Sequence, residues 1–272
     1  MKIATKIKSH RIPTVGLALV AVAWTSCVMP LDQLAPATPQ RPTFSTDTRM
    51  TAAHTVEVES GLNVDPGDSV TLPVRGKIGL DHSSEAYVEW SPLQWINTPG
   101  SDEVGIGDLR FGYRNRFRDA TEDKAALAYH LEAKIPTADA ERGQGSGETD
   151  LFAGIAGEKQ VQQLRLNAFY QLGLLGEVDN GTVDVQHALA MVATRSLDRG
   201  LEAFGEGTYL WTPEQDDEQL FATLGVTYAR TPALIFDASI RFGITPDAPD
   251  FIVLVGLTQN YGQRQGRSRP AQ

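Results

Sequence analysis

The sequence predicts an all-β protein, an antiparallel up-and-down transmembrane β-barrel of about twelve strands. Apolar and polar residues alternate in about twelve successive runs between residues 53 and 262, and no stretch there has a clear helical period. Several runs reach about ten residues, the length that crosses a bilayer at a tilt, whereas strands of soluble sheets more often stop at about five or six. The links between runs alternate between short and long, as periplasmic turns and outer loops do in such barrels.

The runs follow one another closely along the chain. They cover residues 55–59, 72–80, 85–91, 108–117, 126–135, 151–157, 163–174, 183–194, 201–211, 220–228, 233–244 and 251–261. The short links include DHSS, RDATED, SLDRG and RTPA, and the long ones include SPLQWINTPGSD, PTADAERGQGSGE and TPEQDDE. An even number of strands places both chain ends on the periplasmic side. In the run 183–194, His187 falls on the apolar face, which predicts a β-bulge or an error of register in that run.

The two faces of each run have different expected surroundings. In residues 233–244, Leu234 and Phe236 lie on one face, and Asp237 and Arg241 lie on the other. An Arg or Lys facing lipid at mid-depth costs about 2 to 4 kcal/mol, so the charged faces must look into the lumen. Aromatic residues of the apolar faces sit near strand ends, as in the girdles at membrane interfaces: Trp90, Tyr113, Phe117, Tyr209, Trp211, Tyr228, Phe242 and Tyr261.

The region before the barrel has two predicted segments. A basic stretch followed by an apolar run indicates an export signal over residues 1–26. Residues 27–52 are rich in Pro and Thr, which predicts a disordered tether. The sequence leaves open whether part of it plugs the barrel. Cys27 ends a partial lipobox, WTSC, so it is either lipidated, or else removed with the signal or left unreactive; as the only cysteine it cannot form an internal disulfide.

The barrel is predicted over residues 53–262, and residues 263–272 are predicted to be a disordered tail. The formal net charge is -10, and removing residues 1–26 with their four basic side chains gives -10 - 4 = -14. So acidic a chain is not expected to bind nucleic acid.

Charged residues on the polar faces are the candidates for lining the lumen. They are Arg75, Lys77, Arg110, Arg114, His130, Glu132, Arg165, Glu202, Glu206, Asp237 and Arg241. His130 and Glu132 share a face and could pair. No serine in a nucleophile context accompanies them, and the sequence has no His and Cys cluster with metal-ligand spacing. The sequence therefore predicts no catalytic residues, no metal site and no cofactor.

Three motifs carry a family resemblance that spans most of the chain beyond Val104. They are VGIGDLRFGYRNRF from Val104, KIPTAD from Lys134, and GVTYARTPALIFDASIRFGI with VLVGLT near the end. With them the chain resembles the MetA-pathway of phenol degradation family, which comprises outer-membrane barrels generally treated as transporters. The chain departs from the family pattern at Ala138, where the family tends to have Gly, and in the residues that follow Tyr261.

The sequence thus predicts a barrel in the bacterial outer membrane that acts as a passive channel or transporter for small compounds, hydrophobic or aromatic ones among them. Its expected partners are outer-membrane lipid, the small-molecule cargo and the barrel assembly machinery. Three alternatives remain open at this point. They are a structural or surface barrel without an open pore, a barrel hydrolase built around His130, and a soluble secreted barrel that binds a ligand.

Overall fold

The computed structural model describes residues 33–98, 101–176 and 182–263. The export signal over 1–26, the lipidation candidate Cys27 and residues 264–272 of the predicted tail lie outside these ranges. Within them, no helix is long and apolar enough to span a bilayer. Three connections between strands contain a short 3₁₀ turn, at Ala140–Arg142, Asp198–Gly200 and Pro213–Gln215.

Fifteen β-strands form one sheet that closes on itself. They are β1 (Val56–Asp65), β2 (Ser69–Thr71), β3 (Val74–Gly79), β4 (Ser84–Trp90), β5 (Gln94–Thr98), β6 (Ser101–Gly105), β7 (Leu109–Arg118), β8 (Ala126–Ile135), β9 (Asp150–Val161), β10 (Leu164–Gly176), β11 (Val183–Ser196), β12 (Leu201–Thr212), β13 (Asp217–Thr231), β14 (Leu234–Gly243) and β15 (Phe251–Asn260). All neighbours are antiparallel, and β1 pairs with β15 to close the barrel.

Three crossings of the barrel are each split into two strands, so the fifteen strands make twelve crossings. β2 and β3 form one crossing, interrupted at Pro73, which has no N–H to donate to the ladder. β4 and β5 form a second, interrupted around Pro92, and β6 and β7 form a third, interrupted at residues 106–108. The predicted up-and-down barrel of twelve strands is therefore confirmed. β5 and β6 form a hairpin in a segment that the sequence analysis placed in a loop.

The outer surface is apolar and the interior is polar. Large apolar side chains are exposed on the outside of the barrel, among them Met191 at 72% and Leu224 at 63% of full exposure. Charged side chains such as Lys77 and Glu85 are buried on the inside. A water-soluble fold would invert this distribution, whereas a barrel in lipid requires it. The structure therefore does not fit the soluble secreted barrel that the sequence left open.

The prediction of a bulge or register error near His187 is wrong. β11 pairs with β10 and with β12 in continuous register. His187 lies on the outer face, where its Nδ1 atom and the Tyr170 hydroxyl are 2.9 Å apart and its ring stacks on Trp211 at 5.5 Å. Aromatic neighbours and one hydrogen bond accommodate the imidazole near the end of the strand, where the membrane interface tolerates polar groups.

We expect Leu224→Arg to destabilise the barrel in lipid. Leu224 is the middle residue of β13 and faces outward, so an arginine there should lower the free energy of unfolding by about 2 to 4 kcal/mol. The measurement is a denaturant titration of the protein folded into phospholipid vesicles. Ile244→Arg is the control, because Ile244 is also exposed but lies one residue beyond β14, and the expected cost is about 0 to 1 kcal/mol. Equal losses in the two variants would contradict the assigned outer face.

Candidate functional site

The lumen contains a segment of the chain itself, residues 34–55, which we call the plug. It enters at the mouth where β1 begins and β15 ends, which we call the terminal end. There Leu34 pairs with Gln263, and Ala35 N–H donates to the Gly262 carbonyl at 2.8 Å. The plug leaves through the same mouth, because Ala53 pairs with Gly79 just before β1 starts. The plug is therefore a loop that rises into the lumen and returns.

Carboxylates of the barrel wall hold the plug by its backbone. The two oxygens of Glu206, on β12, accept hydrogen bonds from the Phe44 and Ser45 N–H groups, each at 2.9 Å. Three more wall glutamates accept one plug N–H each: Glu57 from Thr38 at 2.9 Å, Glu59 from Gln40 at 3.0 Å and Glu85 from Thr51 at 2.6 Å. Charge-assisted bonds of this kind are stronger than neutral ones.

Wall donors satisfy plug carbonyl groups in the same manner. Four wall side chains donate hydrogen bonds to carbonyl oxygens of the plug. They are Lys77 to Thr38 at 2.7 Å, Asn167 to Thr46 at 3.2 Å, Arg116 to Thr48 at 3.4 Å, and Arg114 to Asp47. These contacts come from strands on opposite sides of the barrel, so the plug crosses the lumen. A buried backbone needs such partners, and here side chains supply what a neighbouring strand would otherwise supply.

One aromatic side chain anchors the middle of the plug. The Phe44 ring packs edge-on against Phe169 of β10 at 6.2 Å, beside Ala156 and Ala190. On its other side, Phe169 stacks against His130 at 5.4 Å. This is the one apolar cluster within the described part of the lumen, and it fixes how far the plug reaches.

Oppositely charged side chains of the wall form buried ion pairs beside the plug. The Lys77 ammonium lies 2.5 Å from both Glu57 and Glu59, and all three side chains are almost fully buried. Arg114 pairs with Glu85 at 2.6 Å. Removing one member of such a buried group leaves an uncompensated charge. Glu57, Glu59, Glu85 and Lys77 also bind the plug backbone, so the ion pairs and the seated plug are energetically coupled.

Asp47 contributes a negative charge from the plug itself. Burial raises the pKa of its carboxyl group, but the charges of Arg49 and Arg114 outweigh that effect and hold the pKa at about 2. The Arg49 guanidinium lies 2.5 Å from the Asp47 carboxylate. The plug therefore carries an ion pair of its own among those of the wall.

A second polar network follows the wall from β3 to β8. Arg75 pairs with Glu89 at 2.5 Å and lies over the Tyr87 ring at 4.7 Å. The Tyr87 hydroxyl donates to Glu132 at 2.7 Å, and Arg110 donates to the same carboxylate at 2.6 Å. This network is confined to one side of the lumen.

The structure places all eleven lumen-lining candidates on the inner face. Arg75, Arg110 and Glu132 fall in the wall network, Lys77, Arg114 and Glu206 contact the plug, and Arg165 pairs with Glu202 at 3.1 Å. Asp237 lies 3.8 Å from Arg41 of the plug, and Arg241 contacts Thr223. His130 and Glu132 do not form the pair considered from the sequence, because His130 Nε2 lies 3.1 Å from Gln171 Oε1 instead.

The sequence predicts a disordered tether over residues 27–52, but residues 33–52 do not form one. These residues lie inside the barrel, and Ala35, Thr48 and Thr51 are buried. The physical reason is that the wall supplies the hydrogen-bond partners that the plug sequence lacks. Sequence reasoning also omitted Glu57, Glu59 and Glu85 as lumen residues, although the alternation in their strands already turned them inward.

A small cavity remains between the plug and the wall near the terminal end. Its volume is about 70 Å³, and its lining includes Arg49, Glu158, Arg165, Asn167 and Glu202. Within the described residues, no group of His, Cys, Asp or Glu side chains is arranged to hold a metal ion.

Two of the three motifs of the family resemblance meet at the loop end of the barrel, opposite the terminal end. Asp108, from the GDL motif, accepts hydrogen bonds from the Thr137 and Ala138 N–H groups of the PTAD motif, each at 3.0 Å. Lys134 lies 3.6 Å from Asp108 and 2.5 Å from Asp150. The motifs therefore serve to hold the connection after β8 against the start of β7.

A closed barrel of twelve strands with an apolar outer surface and a charged interior is the architecture of bacterial outer-membrane channels. The COG4313 outer membrane channel from Pseudomonas putida F1 has a similar structure, with a TM-score of 0.62 at 11% identity over 81% of this chain and 100% of that chain. The NanC porin and the KdgM porin each give a TM-score of 0.53, at 9% and 6% identity, over 75% of this chain and 98% of theirs. No family model and no curated protein sequence matches the chain. At these identities the likeness concerns the fold.

We expect Glu206→Ala to loosen the plug. The substitution leaves the Phe44 and Ser45 N–H groups without their acceptor, and an unsatisfied buried donor costs about 1 to 3 kcal/mol. Hydrogen exchange of residues 43–46 should accelerate by about tenfold or more. Glu202→Ala is the matched control, because Glu202 lies on the same strand and in the lumen but pairs with Arg165 and Ser196. Unchanged exchange in the Glu206 variant would show that Glu206 does not hold the plug.

We expect Lys77→Met to destabilise the folded protein strongly. It leaves the buried Glu57 and Glu59 carboxylates without their shared counter-ion, at a cost of about 3 to 5 kcal/mol. Denaturant titration in detergent measures the loss. Lys159→Met, at a position where the ammonium donates only to the Asp123 carbonyl, should change the stability by about 0.5 kcal/mol or less. A loss for Lys77 as small as that of Lys159 would contradict the assigned network.

Proposed function

We propose that the protein is an outer-membrane channel or transporter for small compounds, and that the plug closes its lumen. The observation that carries the proposal is the loop of chain that crosses a charged lumen and is held by wall side chains. A barrel of twelve strands is wider than the eight-stranded barrels that side chains alone can fill, so its interior needs either water or an added segment. Here an added segment occupies that space.

The kind of contact that holds the plug supports the proposal that the plug moves. Its contacts are hydrogen bonds and ion pairs between polar groups, and they can be exchanged for contacts with water when the plug leaves. Apolar anchoring is limited to Phe44 and its neighbours. Both ends of the plug lie at one mouth, so the loop could withdraw through that mouth without threading the barrel.

The first and last strands of the barrel begin and end at the terminal end. Because both chain ends lie on the periplasmic side in barrels with an even number of strands, this mouth faces the periplasm. The chain resembles the MetA-pathway of phenol degradation family in its motifs and the COG4313 channel in its fold, and we propose membership of that family on these two grounds. Hydrophobic or aromatic cargo remains part of the proposal. Outer-membrane lipid and the barrel assembly machinery are its proposed partners.

A structural barrel without a pore is the second candidate, and the filled lumen favours it. A barrel hydrolase has less support, because the His130 ring contacts Gln171 and Phe169, and a serine is not among its contacts. Conductance separates the channel from the structural barrel.

The proposal is tested by the single-channel conductance of a protein whose plug is linked reversibly to the barrel wall. Asn167 on β10 donates to the Thr46 carbonyl in the middle of the plug at 3.2 Å, so cysteines at positions 46 and 167 lie within reach of a short bis-methanethiosulfonate cross-linker, which reductant removes. In the full chain carrying Cys27→Ser, Thr46→Cys with Asn167→Cys should show few openings when cross-linked and frequent openings when reduced. Each single cysteine variant is a control and should not respond to reductant.

Two results would overturn the proposal in different ways. Equal conductance of the cross-linked and the reduced double variant would mean that plug movement does not gate the lumen. Absence of conductance in the wild type, in the reduced double variant and in Glu206→Ala would favour the structural barrel.

A further inference from the structure

Arg241 differs from the other cations of the lumen. Six lumen cations have a carboxylate within ion-pair distance: Arg75, Lys77, Arg110, Arg114, Lys134 and Arg165. Among the described residues, Arg241 has none. Its guanidinium makes one long hydrogen bond, from Nε to Thr223 Oγ1 at 3.4 Å, and lies 5.7 Å from the centre of the Phe221 ring.

An acidic residue two strands from Arg241 is bound to the plug. Glu206 pairs in register with Thr223, and Thr223 pairs with Arg241, so the acid and the base are two strands apart, about 10 Å at the backbone. Both Glu206 oxygens, however, accept N–H groups of the plug. While the plug is seated, Arg241 therefore lacks a close counter-ion.

A second donor without a partner lies on the same face of the same strand. The Ser239 hydroxyl is buried and has no hydrogen-bond partner. It is two residues from Arg241 along β14, about 7 Å away at the backbone. Other buried polar atoms of the described residues also lack a hydrogen-bond partner, among them both carboxylate oxygens of Asp237, two residues before Ser239 on the same face; Ser239 is the donor that lies between this carboxylate and Arg241.

We propose that Arg241 binds a small carboxylate anion in the lumen, with Ser239 as a second donor. A guanidinium fits the two oxygens of a carboxylate, and the Phe221 ring provides an apolar surface beside it. The inference rests on the proposed function, since it names the class of cargo that the channel would select. It also couples the anion to the plug, because withdrawal of the plug frees Glu206 to compete for Arg241.

Binding of benzoate to the full-length protein in detergent tests the site without requiring an open pore. Calorimetric titration at constant ionic strength should show saturable binding of benzoate and none of benzamide, its neutral isostere. Arg241→Gln should weaken the binding by about tenfold or more, and Arg241→Lys should retain part of it. Ser239→Ala should weaken it by a smaller factor.

Arg230→Gln is the control of equal charge change, because Arg230 is exposed on the outer face of β13. It should bind benzoate as the wild type does. Equal binding by Arg241→Gln and wild type, or no saturable binding by wild type at millimolar benzoate, would overturn the inference. Intact binding by a protein that never conducts would overturn the channel proposal and leave the anion site standing.

Discussion

Hydrogen bonds from the plug backbone to wall carboxylates are the interaction on which the interior of this protein depends. A closed β-barrel satisfies its own backbone groups, but a segment placed inside it brings new N–H and C=O groups that water would otherwise solvate. Glu206 satisfies two of these N–H groups at once, and Lys77 joins a plug carbonyl to two further glutamates. The carboxylates are in turn neutralised by arginine and lysine side chains, so wall and plug form one polar network.

The sequence predicted the barrel well because the features of a barrel are encoded by residues that are close together in the chain. A period of two residues, strands of about ten residues and alternating link lengths depend on neighbouring residues only. The run containing Asp237 and Arg241 shows this, since its two faces were assigned correctly from twelve letters of sequence. The error at His187 has the same origin, because a local pattern does not reveal that Tyr170 and Trp211 surround that ring from neighbouring strands.

The plug could not be predicted in the same way. Residues 33–52 have no periodicity, and their partners lie far along the chain, so nothing nearby signals that Phe44 will meet Glu206 or Phe169. The inward direction of the lumen charges followed from the alternation, but their pairing did not. His130 and Glu132 share a face, yet they bind different partners because the barrel brings Gln171, Tyr87 and Arg110 closer.

The position of the plug before β1 has a consequence for how the barrel assembles. The plug is the first described segment of the chain, but Phe44 contacts a residue 162 positions later and Arg41 contacts one 214 positions later. Such contacts form late, because the chain between them must first be organised. The wall sites for the plug are complete only when β12 and β15 are in place, and β15 is also the strand that seals the seam with β1. Insertion of the plug and closure of the seam are therefore linked events at the end of folding, so the plug first seats only in a barrel whose last strand has docked.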